Sequence, residues 1–246
     1  MGTSSSYKGS SGKASRAVRD GVDQWSSDRL NGSGAGLPQN VVANTLRIPA
    51  FPRAGGGTSG GGSSSSGRQQ SPHRNAREYA ATAGRAAGLA RALRAGDREA
   101  LERAGLDYDA LQAMPSRAEM VRTILEVVCE AHTSSDIPSE EQRAIASRLL
   151  DWMLDDEQNP TPPPPTEAAE YAIGIMIAEM FLSEAGEFTS TGTVSREDFV
   201  NEVYEAAANL AGRADLTGTT TGADAIEAAI TRGLKFLRRT YASETQ

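Results

Sequence analysis

Few residues in this 246-residue chain have the type and spacing to do chemistry. There are two histidines, His73 and His132, and one cysteine, Cys129. The two histidines stand far apart with no third ligand nearby, and with a single cysteine this excludes the familiar zinc spacings. One dense run of carboxylates exists: Asp151, Asp155, Asp156 and Glu157. It reads as a solvated helix end that opposes its own dipole, or else as a weak divalent-cation site. A phosphate loop ending at Gly12-Lys13 would need Gly at position 7 and Ser or Thr at 14, where Tyr7 and Ala14 stand. The glycine runs at 32–36 and 55–62 do not lie between a strand and a helix. No Ser/His/Asp combination has a supporting motif, so the chain reads as a non-enzyme without a metal site. Cys129 falls inside an apolar helical pattern. It reads as a small buried hydrophobe, with a reactive thiol as the alternative.

The unusual chemistry lies at the start, in Met1-Gly2-Thr3-Ser4-Ser5-Ser6-Tyr7. Glycine after the initiator methionine normally permits its removal, leaving a free glycine amine. Gly2 with Ser6 fits the N-myristoylation pattern, although one such chain anchors only weakly. The other chemical reading is that a partner enzyme takes this end into its active site. The plain reading is an ordinary chain start.

The elements that must position this end divide the sequence at residue 72. Residues 1–72 contain 14 Gly and 15 Ser. Such a stretch has high backbone entropy and little to bury, which predicts a long disordered Gly/Ser-rich tail with a linker over 9–72. An apolar island at 37–52 interrupts it, with Leu37, Val41, Val42, Leu46, Ile48 and Phe51. It reads as a sticky linker or as an extended segment docking on a partner or on the chain's own body.

Helical patterning begins near His73. The expected fold is an all-α bundle over 73–243, with five major helices and one or two short ones. Gly96-Asp97 reads as a C-cap followed by an N-cap, Ser116-x-x-Glu119 as a capping box, and Ser139 and Thr166 as caps of the helices they precede. Pro160 and Pro162 to Pro165 form a stiff connection. Trp152, Tyr171 and Tyr204 fall on apolar stripes. The helix over 167–184 is apolar on nearly every face, so it lies at the bundle centre or contacts a partner. Phe181 and Phe188 are candidates for such a docking surface.

Hydrophobic residues make up 38% of the chain, consistent with a globular part diluted by a disordered one. Lys and Arg number eight against three Asp and Glu through residue 72, then 17 against 29, a balance of −12 for the body. An acidic body repels phosphate, so nucleic acid is not an expected partner, whereas a basic protein is. One cysteine fits a reducing, cytoplasmic setting. No stretch reaches the roughly 20 apolar residues a membrane span needs.

The opening Met1-Gly2-Thr3-Ser4-Ser5-Ser6-Tyr7, joined to Arg85-Ala86-Ala87-Gly88, to the run from Gly96 to Tyr108, and to the C-terminal segments 211–216 and the last helix through Tyr241, resembles the QatB family of the Qat (QatABCD) anti-phage defence system. The similarity covers roughly 1–8 and 76–241. The linker departs from it: many relatives have a Pro/Asp-rich tail where this chain is Gly/Ser-rich. The resemblance implies a bacterial, cytoplasmic defence component that binds QatC, a QueC-like enzyme, with the system's ATPase and TatD-like nuclease as further candidate partners. It implies that segment 1–8 enters the QatC active site through Gly2, Thr3, Ser4, Ser5, Ser6 and Tyr7. There the Gly2 amine would be joined in an amide to a 7-deazapurine carboxylate that QatC activates with ATP; no cofactor is implied for this chain itself. A structural scaffold without N-terminal chemistry and an N-myristoylated adaptor are the alternatives.

Overall fold

Helix boundaries in the computed structural model follow local side-chain chemistry. The structure describes residues 10–48, 75–129, 137–186 and 194–241. The helices are α1 (Lys13–Leu30), α2 (Gln39–Ala43, continued by a 3-10 turn over Asn44–Arg47), α3 (Ala76–Ala95), α4 (Arg98–Arg103), α5 (Tyr108–Gln112), α6 (Arg117–Cys129), α7 (Ile137–Met153), α8 (Pro165–Ala185), α9 (Arg196–Ala211) and α10 (Ala223–Tyr241). No strand occurs among the described residues, and the fold is all-α.

The caps mostly sit where polar side chains can satisfy the orphan amides of a first turn. Asn75 accepts from Arg77 N, and Asp97 and Asp107 accept from the amides three residues on. Ser195 and Asp198 form a reciprocal capping box at α9. Gly96, at φ 69°, closes α3 in the left-handed region. The Ser116 hydroxyl accepts from Glu119 N at 3.3 Å. Two expected caps are displaced: α7 begins at Ile137, ahead of Ser139, and α8 begins at Pro165, so Thr166 lies inside its first turn. Proline at a first helical position loses no hydrogen bond, and its fixed φ suits the helix.

Among the described residues, the body from residue 75 contains six longer helices rather than five, with α4 and α5 as the short pair. α8 lies at the centre and packs on α1, α3, α7, α9 and α10. That placement explains its apolar faces: Ile173, Met176, Ile177, Met180 and Phe181 are fully buried. Tyr79 donates to Glu141 near the starts of α3 and α7, and Arg94 donates to Met153 O near their ends, so these helices run parallel. α3 and α10 cross closely. A Cβ at Gly84 would lie 2.7 Å from Ala223 O, and one at Gly88 would lie 3.0 Å from Ala223 Cβ. Gly84 and Gly88, one turn apart, are therefore the notch that admits α10.

The expected disordered linker over 9–72 is corrected in its first part. Residues 13–30 form α1, which buries Ser15, Val18, Val22, Trp25 and Ser26 at helical spacing. The Trp25 ring lies 6.0 Å from Phe199, which in turn lies 6.5 Å from Phe181. Within the 37–52 island, Leu37, Val42, Leu46 and Ile48 are buried against the chain's own body. It docks there as a short helix and 3-10 turn, not as an extended segment. Glu202 of α9 holds the connection, accepting from Leu37 N at 3.0 Å and Arg29 Nη2 at 3.2 Å. The physical reason for the difference is that a few large apolar side chains at the right spacing outweigh a polar average. Residues 49–74 of the linker lie outside the described residues, as do residues 1–9.

Candidate functional site

The expected site residues Gly2, Thr3, Ser4, Ser5, Ser6 and Tyr7 lie outside the described residues. What the structure places is their point of attachment. Glu184, in the last turn of α8, is fully buried. A buried carboxylate needs hydrogen-bond partners to offset its lost hydration. Ser10 supplies two, its amide at 2.8 Å and its hydroxyl at 2.9 Å. Arg19, one turn into α1, closes the arrangement by donating to Glu184 O at 3.2 Å and to Ser10 O at 3.0 Å. Gly12 then caps α1 in extended conformation. Ser10 is thus a fixed point of the body, and Gly2 lies eight positions before it in sequence. An extended chain of that length spans about 26–29 Å at most. The expected long Gly/Ser stalk between Gly2 and the body is interrupted at Ser10, where the described chain already joins the body. The clamp carries little sequence signal, since it joins single residues 174 positions apart.

A second feature lies between α7, α8 and α9, a cleft of about 540 Å³. Its walls include Trp152, Tyr171 and Tyr204, with Arg148, Glu167, Glu170 and Asn201 around them. The Trp152 and Tyr171 rings stack with centroids 4.2 Å apart. Arg148 lies over the Tyr204 ring at 4.4 Å and pairs with Glu179 at 3.0 Å. Tyr204 also donates its hydroxyl to Glu179. Burial, then the Glu179 charge, pushes the Tyr204 phenol far above its ordinary range, and burial raises Tyr171. Both are therefore neutral phenols near neutral pH and cannot serve as general bases there. Gly174 lets α8 approach α9, since a Cβ there would already touch Ala208 Cα at 3.4 Å. Sequence periodicity placed these three aromatics in core stripes. Their interrupting charges, Glu167, Glu170 and Arg148, were the available sign of a boundary.

A third feature, a cleft of about 660 Å³, is lined by Leu89, Val127 and Val128 with Arg85, Arg91 and Arg103. Arg91 is committed to Pro163 O, which ties α3 to the proline connection.

The remaining candidates resolve into structural roles. Cys129 is buried, and burial pushes its thiol pKa up. That leaves little thiolate for reaction. The acidic run is engaged by protein groups: Arg117 pairs with Asp151 at 2.9 Å and Asp155 at 3.1 Å, and Arg94 pairs with Asp156 at 3.0 Å. Asp155 is buried rather than solvated and accepts from the amides of Glu157 and Gln158, forming a side-chain cap on the turn after α7. Among the described residues no group of three His, Cys, Asp or Glu could hold a metal ion. His73, His132 and Phe188 lie outside the described residues. Phe181 is fully buried in the bundle and cannot be a docking residue. No described helix is long and apolar enough to cross a membrane. No family model matches the chain, and no curated protein or solved structure is detectably similar to it.

Proposed function

We propose that this chain is a non-enzymatic anti-phage defence component that binds a QueC-like enzyme and presents the Gly2 amine for modification by a 7-deazapurine. The observation that carries the reading is the clamp of Ser10 on Glu184. It fixes the base of an N-terminal segment whose composition suits entry into a narrow active site. Glycine has no Cβ to clash there. An α-amine with a pKa of about 7.7–8.0 is roughly a tenth to a fifth neutral at pH 7, far more than a lysine. The partner supplies ATP and the deazapurine carboxylate. The amine's lone pair forms the new C–N bond, the activating group leaves, and the amine's surplus proton passes to the partner or solvent.

A short tether also favours delivery. For a flexible chain, effective concentration falls roughly as the −3/2 power of length. Eight free residues rather than some seventy raise it about 25-fold at a site within reach. The cost is range: the partner's active site must open within about 29 Å of Ser10.

Intact-mass analysis after co-expression with the QueC-like enzyme tests the proposal. Wild-type chain should gain a deazapurine adduct. Gly2→Ala should lose most of it through one methyl at the reacting centre. Gly2→Leu should lose it entirely, because bulk at position 2 retains Met1. Lys8→Arg with Lys13→Arg should change nothing. An unmodified Met-less chain would favour the scaffold reading, and a myristoyl mass the lipid-anchored one.

A further inference from the structure

The cleft between α7, α8 and α9 has the composition of a receptor for an organic cation. Its carboxylates outnumber its cations: Glu167 and Glu170 line it, Arg148 is the cation among its lining residues, and Arg148 is itself paired with Glu179. Glu179 is already engaged by Arg148 and Tyr204. Glu167 and Glu170 are exposed on consecutive turns of one α8 face, beside Tyr171. Tyr171 is one of two large hydrophobics exposed among the described residues, at 36%. Its ring is held by the stack on Trp152, so little rotamer freedom remains to be lost on binding.

An aromatic platform beside two carboxylates suits a planar, weakly hydrated cation better than a compact ammonium. The protein uses this same contact within its own fold. Arg29 lies over Trp25, Arg98 over Tyr108, Arg148 over Tyr204 and Arg213 over Tyr241, at 4.4–5.8 Å. The cleft volume is ample for a guanidinium side chain and its flanking backbone. The −12 balance of the body would draw a basic segment toward it.

We infer that this cleft binds an arginine-bearing basic segment of a protein partner, with the guanidinium against Tyr171 and paired with Glu167 and Glu170. The inference stands independently of any chemistry at Gly2.

The test is calorimetric titration of the full chain with acetyl-Gly-Arg-Gly-Arg-Gly-amide. Lysine and glutamate versions of the peptide serve as comparisons. Saturable binding is expected for the arginine peptide, weaker binding for the lysine peptide and none for the glutamate peptide. Glu167→Gln with Glu170→Gln, both exposed on α8, should weaken arginine-peptide binding about tenfold. Tyr171→Ala should do likewise, and Tyr171→Phe, which keeps the ring, should restore it. Glu119→Gln with Glu126→Gln, on α6, should leave it unchanged. Absence of saturable binding would overturn the inference, as would equal losses in the α6 variant. So would a gain in affinity on replacing Arg53, Arg68 and Arg74 with Gln, because the chain's own segment would then be the occupant.

Discussion

Replacing Glu184 by Ala isolates the clamp that sets the tether. Among the described residues, the substitution removes the hydrogen bonds that the carboxylate accepts from Ser10 N at 2.8 Å and Ser10 Oγ at 2.9 Å. Bonds to charged groups are worth about 1.5–3 kcal/mol each. Part of that returns, because released Ser10 donors regain water and the buried charge is gone. The net local loss should be about 2–3 kcal/mol, which corresponds to roughly 30- to 150-fold faster exchange of the Ser10 amide. Hydrogen exchange read by mass spectrometry on the peptide spanning residues 8–14 measures it. Glu184→Gln, which keeps one acceptor oxygen, should fall between. The release also lengthens the tether. If Val18, fully buried in α1, becomes the next fixed residue, the free segment grows from eight to 16 residues. Effective concentration then falls about threefold, and the initial rate of Gly2 modification should fall with it. Ser10 exchange unchanged in Glu184→Ala would refute the clamp. Faster exchange with an undiminished modification rate would refute its link to delivery.

Other consequences are equally open to measurement. Gly84→Ala should destabilise the fold by about 1–3 kcal/mol in chemical denaturation despite the better helix propensity of alanine, because the new methyl meets backbone at Ala223. Gly212→Ala, whose tightest new contact is the movable end of Glu170 at 3.2 Å and whose backbone contacts lie at ordinary distance, should be tolerated. Leu46→Ala should cost about 2–5 kcal/mol, as expected for a fully buried core residue and not for a linker position. Asp198 is held below its ordinary pKa, first by the Ser195 hydroxyl and then by its amide. Its contribution is therefore fully present above about pH 4 and lost as pH falls through the depressed value, so acid should fray α9 in circular dichroism, and less so in Ser195→Ala. Cys129 should react with a thiol reagent only at the rate of unfolding.

Local chemistry made much of the fold legible. The cap at Asp97 and the αL glycine at 96 depend on neighbours in sequence, and they stand where side-chain type placed them. The long apolar run of α8 gave its central position as one of two readings, because only a buried helix or an interface needs apolar residues all round. What escaped was non-local. Val18, Val22 and Trp25 are spaced by four and three, but they stand among Ser, Asp and Arg, and the ring against Trp25, Phe199, lies far along the chain. The Ser10–Glu184 pair is of the same kind. The aromatic cleft was hidden differently: Trp152, Tyr171 and Tyr204 obey core periodicity, and only three-dimensional packing leaves one edge of each at a boundary.

The most direct test of the central claim is fragmentation mass spectrometry of the N-terminal peptide from full-length chain co-expressed with a QueC-like enzyme. The account predicts loss of Met1 and a deazapurine amide on the α-nitrogen of Gly2, absent when the enzyme is omitted. An unmodified Gly2 in the presence of active enzyme, or an adduct carried by Lys8 instead, would contradict it.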